Sequence, residues 1–280
     1  MNRIENKVFD EERSLYNLKD TIVLNCTFKG EKDGESPLKE ARNIRVDNSN
    51  FSLRYPLWHV HNYLINNTNF DINARAPLWY TLNGKIINCV IEGIKTLRES
   101  KNIEIENCHI NSSEFGWKSN NIKVSNSNIN SEYIFLDSNN VNIKNINFTG
   151  KYSFQYMKNV TIEDSILNTK DAFWHSENII VKNSTINGEY LGWFSKNLTF
   201  INCKIIGTQP LCYCEKLKLI NCEMVNTDLS FEYSDVIAII KGKIESIKNP
   251  RSGKIIVDEV GSIIKEDSIM KDNCKIIINK

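Results

Sequence analysis

The chain has 280 residues, 35 Lys and Arg against 34 Asp and Glu for a net charge of +1, and 41% hydrophobic residues. That composition is ordinary for a soluble globular chain, and a charge so near zero gives no reason to expect nucleic acid or another polyanion as a partner. No run approaches the roughly 18 apolar residues that a membrane span needs, and Met1-Asn2-Arg3-Ile4-Glu5-Asn6 lacks an apolar signal region, so no membrane partner and a cytoplasmic location are expected.

Taken in order, residues 1–18, with Asp10-Glu11-Glu12-Arg13-Ser14-Leu15-Tyr16, read as a short helix or turn capping the open end of a coiled repeat. A first coil begins at Lys19, with Asn25, Cys26 and Phe28, and carries the polar insertion Gly30-Glu31-Lys32-Asp33-Gly34-Glu35-Ser36-Pro37. A second begins at Arg42 with Asn48. A third begins at His61 with Asn67 and a two-residue insertion before Trp79, and a fourth at Leu82 with Asn88-Cys89. From Lys101 to Tyr233 the register is strict: seven blocks of 19 residues start at Lys101, Asn120, Asn139, Lys158, Glu177, Lys196 and Glu215.

Counting each block from one, positions 3 and 5 are apolar (Ile103 and Ile105, Ile122 and Val124, Ile179 and Val181), which is the alternation of a strand. Position 7 is Asn107, Asn126, Asn145, Asp164, Asn183, Asn202 and Asn221. Asn tolerates the left-handed backbone of a one-residue corner, and its amide can bond its equivalent one rung away, about 4.8 Å, as an asparagine ladder. Position 8 is small or apolar, so Cys26, Cys89, Cys108, Cys203 and Cys222 are expected as buried thiols. Positions 14 to 18 form a third segment rich in aromatic residues, read here as a third strand. After Ser234 the ladder residue is lost. Val236–Ile240, Ile255–Val257 and Lys275–Ile278 then read as strands of a C-terminal cap, with a turn at Asn249-Pro250-Arg251-Ser252-Gly253.

Three short segments per fixed period, with no helical face, predict an all-β fold: a right-handed parallel β-helix of about a dozen coils. The expected organisation is one domain over 1–280, with a cap at 1–18, regular coils at 19–233 and irregular last coils and cap at 234–280. A leucine-rich repeat would place its Asn three residues after the last strand Leu, whereas here the Asn follows by two.

These repeated Asn-Cys and Asn-Ser corners resemble the pectate-lyase-like right-handed β-helix superfamily. In size they resemble a bacterial family of single-domain proteins that carries only a domain-of-unknown-function label. The resemblance implies the fold over nearly the whole chain and no established reaction. Of the polygalacturonase motifs, Asn226-Thr227-Asp228 matches the Asn-Thr-Asp, while the Asp-Asp, Gly-His-Gly and Arg-Ile-Lys are absent. No compact acidic cluster matches the calcium site of pectate lyases.

In a coil, residues at one position stack, so columns replace local motifs. Position 18 (His59, Glu99, Lys118, Asp137, Tyr156, His175, Phe194, Tyr213, Glu232) is the most polar column, hence outward. Strand parity then puts position 16 (Leu57, Leu97, Phe135, Phe154, Phe173, Leu211) on the same side, unless a bulge returns it to the core. Position 17 carries Trp58, Trp117, Trp174 and Trp193, either as an inward aromatic stack by parity or as a platform for pyranose rings.

On the second reading the binding residues are Trp117, Lys118, Trp174, Trp193, Glu232 and His59, with Asp137 and His175 as candidate catalytic groups. Glu99 and Asp137 would stand two rungs, about 9.6 Å, apart with Lys118 between them, which also describes a surface ion ladder. Asp171 and His175 are about 13 Å apart along an extended strand, too far for a direct pair. Cys203, Cys212, Cys214 and Cys222 lack the paired knuckles of zinc sites, and neither metal nor cofactor is expected. The partner is an oligosaccharide; alternatively, the outward position 16 stripe is buried in a homo-oligomer interface.

Overall fold

The computed structural model describes residues 1–30, 35–270 and 273–279. The part of the polar insertion at 31–34 lies outside the described residues. Two compact units divide the chain, Met1–Asn142 and Ile143–Lys280, and the same coil builds both. The fold is the expected right-handed parallel β-helix, free of helix among the described residues and turning about 14 times with a spacing near 19 residues.

Each coil opens on a six-residue strand, as in Arg42–Asp47, His61–Asn66, Leu82–Ile87 and Lys101–Glu106 of the first unit. These pair in parallel without slippage, Arg42↔His61, Ile44↔Tyr63 and Val46↔Ile65 among them. Positions 3 and 5 turn inward and are buried, because alternation puts every second side chain on the core side. The strand ends at an Asn in the left-handed region, with φ 52° at Asn25, 49° at Asn48 and 54° at Asn107. The chain turns there and enters a second strand of two or three residues. In the first unit its inward residue is Phe9, Phe28, Phe51 or Phe70, whose rings stack at 5.0, 4.6 and 4.8 Å.

The position 7 amides form the ladder, from Asn25 to Asn6 at 3.2 Å, Asn67 to Asn48 at 2.6 Å and Asn221 to Asn202 at 2.7 Å. A second ladder runs along position 2. Asn62, Asn83, Asn102 and Asn121 each donate Nδ2 to the Asn of the coil before, at 3.1, 3.0, 2.8 and 2.8 Å. Its members are also left-handed, φ 54° to 58°, so the amide fits a second one-residue corner where each coil begins. Inside, position 8 does a related task. The N–H of Cys108 donates to Ser127 Oγ at 3.0 Å and that of Ser165 to Ser184 Oγ at 3.0 Å, which satisfies buried backbone. All eight cysteines are free and buried.

Both ends differ from expectation. Residues 2–9 are not a cap but a further coil: Asn2–Glu5 pairs with Thr21–Leu24, and Val8–Phe9 with Thr27–Phe28. At the other end, Asp235–Lys248, Ser252–Ile264 and Asn273–Ile278 go on stacking in parallel rather than folding back. Single-residue register shifts, after Leu219 and after Ile240, absorb the shorter coils there.

The largest departure is the third segment, which is a run of turns and not a strand. Its positions 14, 16 and 18 all have positive φ: 55°, 62° and 54° at Tyr55, Leu57 and His59, and 55°, 61° and 54° at Asp171, Phe173 and His175. Left-handed backbone at every second residue abolishes the period of two. Positions 15 and 16 face the core, 18 faces out and 19 returns inside, while 17 is half-buried where it carries Trp and buried at Gln155 and Cys212. Position 16 is therefore core: Leu57, Leu97, Phe135, Phe154, Phe173 and Leu211 are all fully buried. A non-glycine residue in that region costs about 1–2 kcal/mol. Burying a Leu or Phe side chain returns about 1.5–3 kcal/mol, so the burial offsets the strain. The one Gly of the column in the first unit, Gly116 at φ 78°, leaves room for the next coil, since a Cβ there would lie 2.3 Å from the Phe135 ring.

Candidate functional site

The turn arc puts the aromatic residues on the outer surface in pairs of columns, and each unit carries its own version. In the second unit, position 17 stacks Trp174 on Trp193, with ring centroids 5.3 Å apart and planes 4° from parallel. Their indole N–H groups donate to the carbonyls of Tyr190 (2.6 Å) and Gln209 (2.8 Å), each on the arc of the following coil. Beside them, position 18 forms a ladder: Tyr156, His175, Phe194 and Tyr213 stack at 5.0, 5.1 and 4.7 Å. The rung spacing of about 4.8 Å is close to the distance at which parallel rings stack, so the column selects its own geometry. The ladder stands in solvent, with Tyr156 50% and Phe194 43% exposed. The next ring in the column is Tyr233, 5.8 Å from Tyr213 and tilted by 42°, because the register slips by one residue in this coil; Glu232, expected at position 18, instead follows Cys212 and is held by Lys248 Nζ at 2.9 Å.

Asp171 and His175 are not paired, since His175 lies between the rings of Tyr156 and Phe194. Asp171 is buried at position 14, where burial, with Glu189 nearby, outweighs Lys170 and raises its carboxyl above the usual range. Cys212 and Cys214 lie behind this arc, and burial pushes both thiols up to about 12.

In the first unit, the position 17 column is Trp58, Trp79, Arg98 and Trp117. Trp58 and Trp79 stack at 5.5 Å, and the Arg98 guanidinium lies 4.9 Å from the Trp79 ring and 5.3 Å from that of Trp117. Trp117 Nε1 donates to the Tyr133 carbonyl at 2.6 Å. Parity had made position 17 an inward core stack; the five Trp are instead half-buried, with edges outward and one or both faces packed on neighbours. Lys118 and Asp137 are exposed at position 18. Among the described residues no ion pair joins them, and Glu99 faces Arg98 at 3.9 Å, so the Glu99-Lys118-Asp137 ladder does not form.

His59 begins the position 18 column differently. Its Nδ1 is 2.8 Å from Glu40 Oε1, and Glu40 Oε2 takes Arg42 Nη2 at 3.1 Å. Burial works to raise the Glu40 carboxyl, but the hydrogen bonds and charges of His59 and Arg42 prevail and lower it. Arg42 is fixed in turn by the Ala41 and His59 carbonyls. Sequence reading missed Glu40, although the signal was present: it occupies position 18 of the coil preceding His59.

Repeated coils, two asparagine ladders and an aromatic arc define a parallel β-helix protein with a stacked aromatic outer face. The chain belongs to the family described as protein of unknown function (DUF3737), whose model matches residues 2–278. No protein of curated function matches it in sequence. Among solved structures it is similar to the Streptococcus pneumoniae surface protein and adhesin PfbA, at 11% identity over 85% of this chain and 84% of that one, TM-score 0.44. It is also similar to the A-module of the Azotobacter vinelandii mannuronan C-5 epimerase AlgE4, at 9% identity over 85% and 89%, TM-score 0.36. A third is the catalytic domain of a GH87 α-1,3-glucanase, at 10% identity over 99% of this chain and 64% of that one, TM-score 0.30. These likenesses are too distant to carry a functional argument.

Proposed function

We propose that the protein binds an oligosaccharide along the outward arc of the second unit. The observation that carries this reading is the exposed ladder Tyr156, His175, Phe194 and Tyr213, alongside the edges of Trp174 and Trp193. Because the rings cover one another's faces, a sugar chain would lie along the ladder's rim. There its apolar C–H face meets ring edges, and its hydroxyls meet the phenol oxygens and the ring nitrogens of His175. Tyr233 continues the row, and Glu232 lies beside it. In the first unit, Trp117 with Lys118 and Asp137 is the corresponding stretch, and Asp137 and His175 remain the groups to test for chemistry once a ligand is known.

The test is a titration of intrinsic Trp fluorescence and melting temperature against glucan, chitin and uronic-acid oligosaccharides. A ligand at about 100 times its dissociation constant stabilises the fold by about 2.7 kcal/mol, enough to read in a melt. A stabilising ligand whose effect disappears in Phe194→Ala supports the reading; silence across the panel counts against it.

A second reading, as a homo-oligomer, loses the stripe first expected to carry it, since position 16 is core. It finds another surface in Ile220, Ile237 and Ile239, 44%, 58% and 49% exposed on the outer sheet of the second unit. Solution mass decides it: a dimer dispersed by Ile237→Lys favours association there.

A further inference from the structure

The group that resembles a working constellation lies apart from that ladder, in the first unit. Glu40, Arg42 and His59 come from two successive coils, joined because position 18 of one coil stacks on position 18 of the next. Each oxygen of the Glu40 carboxylate has its own donor, His59 Nδ1 at 2.8 Å and Arg42 Nη2 at 3.1 Å. Arg42 already balances the carboxylate charge, so the imidazole can make this bond in its neutral form, with the proton on Nδ1. That tautomer leaves Nε2 as a hydrogen-bond acceptor, and among the described residues Nε2 makes no hydrogen bond.

Aromatic rings flank the His59 imidazole, whose side chain is 43% exposed. Tyr80 stands on edge, 5.0 Å from the His59 ring at 78° and 5.8 Å from Trp58 at 88°, while His59 lies nearly parallel to Trp58, 6.3 Å away. Lys39 caps the Trp58 ring at 5.5 Å. His61, the other imidazole nearby, has its pKa lowered by burial and by Arg42, so it is the weaker base. An imidazole oriented through one nitrogen by a carboxylate, with the other nitrogen left as an acceptor, is how proteins build an oriented base or acceptor.

We infer that Glu40 and His59 form a second ligand site, in which His59 Nε2 accepts a hydrogen bond from a hydroxyl of a sugar ring beside Tyr80. Glu40 is the positioning residue. The ligand class rests on the carbohydrate reading above, whereas the state of the imidazole does not, and the experiment separates the two.

The full-length protein is treated with diethyl pyrocarbonate at pH 7, and modification of His59, His61, His109 and His175 is followed by peptide mass spectrometry. Wild type, Glu40→Gln and Glu40→Asp are compared, with and without maltotetraose, cellotetraose and tetragalacturonate, each variant first shown to keep the circular dichroism spectrum of the wild type. His59 should react in the wild type and several-fold more slowly in Glu40→Gln, with part of the rate restored in Glu40→Asp. At least one oligosaccharide should protect it. A His59 equally reactive in all three proteins overturns the dyad. A reactive His59 that no probe protects, while a probe still shifts Trp fluorescence in a Phe194-dependent way, overturns this site and leaves the ladder reading standing. Silence in both readouts overturns both.

Discussion

His59 and His175 occupy the same position of the coil, with the same left-handed backbone, φ 54° in each, yet their chemical settings differ. What differs is the residue one rung earlier. Before His59 stands Glu40, which takes its Nδ1 at 2.8 Å; before His175 stands Tyr156, whose ring lies flat on the imidazole at 5.0 Å and 12°. The rung after repeats the contrast, Tyr80 on edge against Phe194 flat. In a solenoid a side chain's environment is set by its column neighbours 19 or so residues away, far more than by its sequence neighbours. The first unit has spent this freedom on charge, with Arg98 between two indoles and Arg42 on Glu40. The second has spent it on a continuous aromatic rim.

The aromatic rim depends on the core beneath it. Phe173 is fully buried and stacks on Phe154 at 5.3 Å, directly under the Trp174 and His175 pair. Phe173→Ala should cost about 3–5 kcal/mol in a denaturant titration, the range for emptying a buried aromatic site, and shift Trp fluorescence to the red. Leu57, fully buried beneath His59, should cost less on truncation to Ala, about 2–4 kcal/mol. Equal losses would mean that the second unit's ladder adds nothing to its floor.

The asparagine ladder is common to both units and serves as a control. Asn102 donates to Asn83 and accepts from Asn121, both at 2.8 Å; Asn178 donates to Asn159 at 3.1 Å and accepts from Asn197 at 2.8 Å. Each Ala substitution loses two hydrogen bonds and places a Cβ-bearing residue without a local amide at φ 58°. About 1–2 kcal/mol is expected for either, alike within about 0.5 kcal/mol. A smaller effect follows at Arg98, where replacement by Met keeps the volume and removes the charge between Trp79 and Trp117. About 0.5–1 kcal/mol should be lost in a denaturant titration.

The fold was legible because its signals are local and periodic. An Asn seven residues into each block reports a corner whatever the neighbouring coil contains. The position 2 ladder was equally visible, as Asn43, Asn62, Asn83, Asn102, Asn121, Asn140, Asn159, Asn178 and Asn197, and was missed because it opens the strand instead of ending it. The arc was misread for a physical reason: alternation rules hold for extended backbone, and positive φ at Leu57, Phe135 or Phe173 carries no residue-type signature, since Leu and Phe are poor left-handed formers. The site residues were found as a list but not as partners. Trp174 with Trp193 could be paired by register, whereas Glu40 comes just after the polar insertion of the first coil, so its position 18 shows only when counted back from Arg42 and not forward from Lys19.

The two arginine–carboxylate pairs offer the finest comparison. In the second unit, Arg251 binds Asp235 through Nε at 2.8 Å and again through Nη2, and Ser252 Oγ adds a bond at 2.5 Å. The Arg251 hydrogen bonds, with Ser252 and the Arg251 charge, hold the Asp235 carboxyl below its usual range against the opposing effect of burial. Glu40 is lowered too, by the hydrogen bonds and charges of His59 and Arg42 acting against burial. A carboxylate with a depressed folded pKa adds stability that is fully present above its unfolded value, about 3.9 for Asp and 4.3 for Glu, and is lost as pH falls through the lower folded value. Each pair is a quarter to a third exposed, so solvent screening keeps the contribution under about 1 kcal/mol. Melts from pH 7 to pH 3 should therefore show Asp235→Asn converging with the wild type only below about pH 4. Glu40→Gln should likewise converge only below the ordinary Glu range of about 4.3, as the pH falls through the lowered value of the Glu40 carboxyl. A variant whose difference from the wild type does not shrink as the pH falls shows that its carboxylate draws no stability from these partners, and for Glu40 the contrast between the two position 18 histidines then reduces to packing alone.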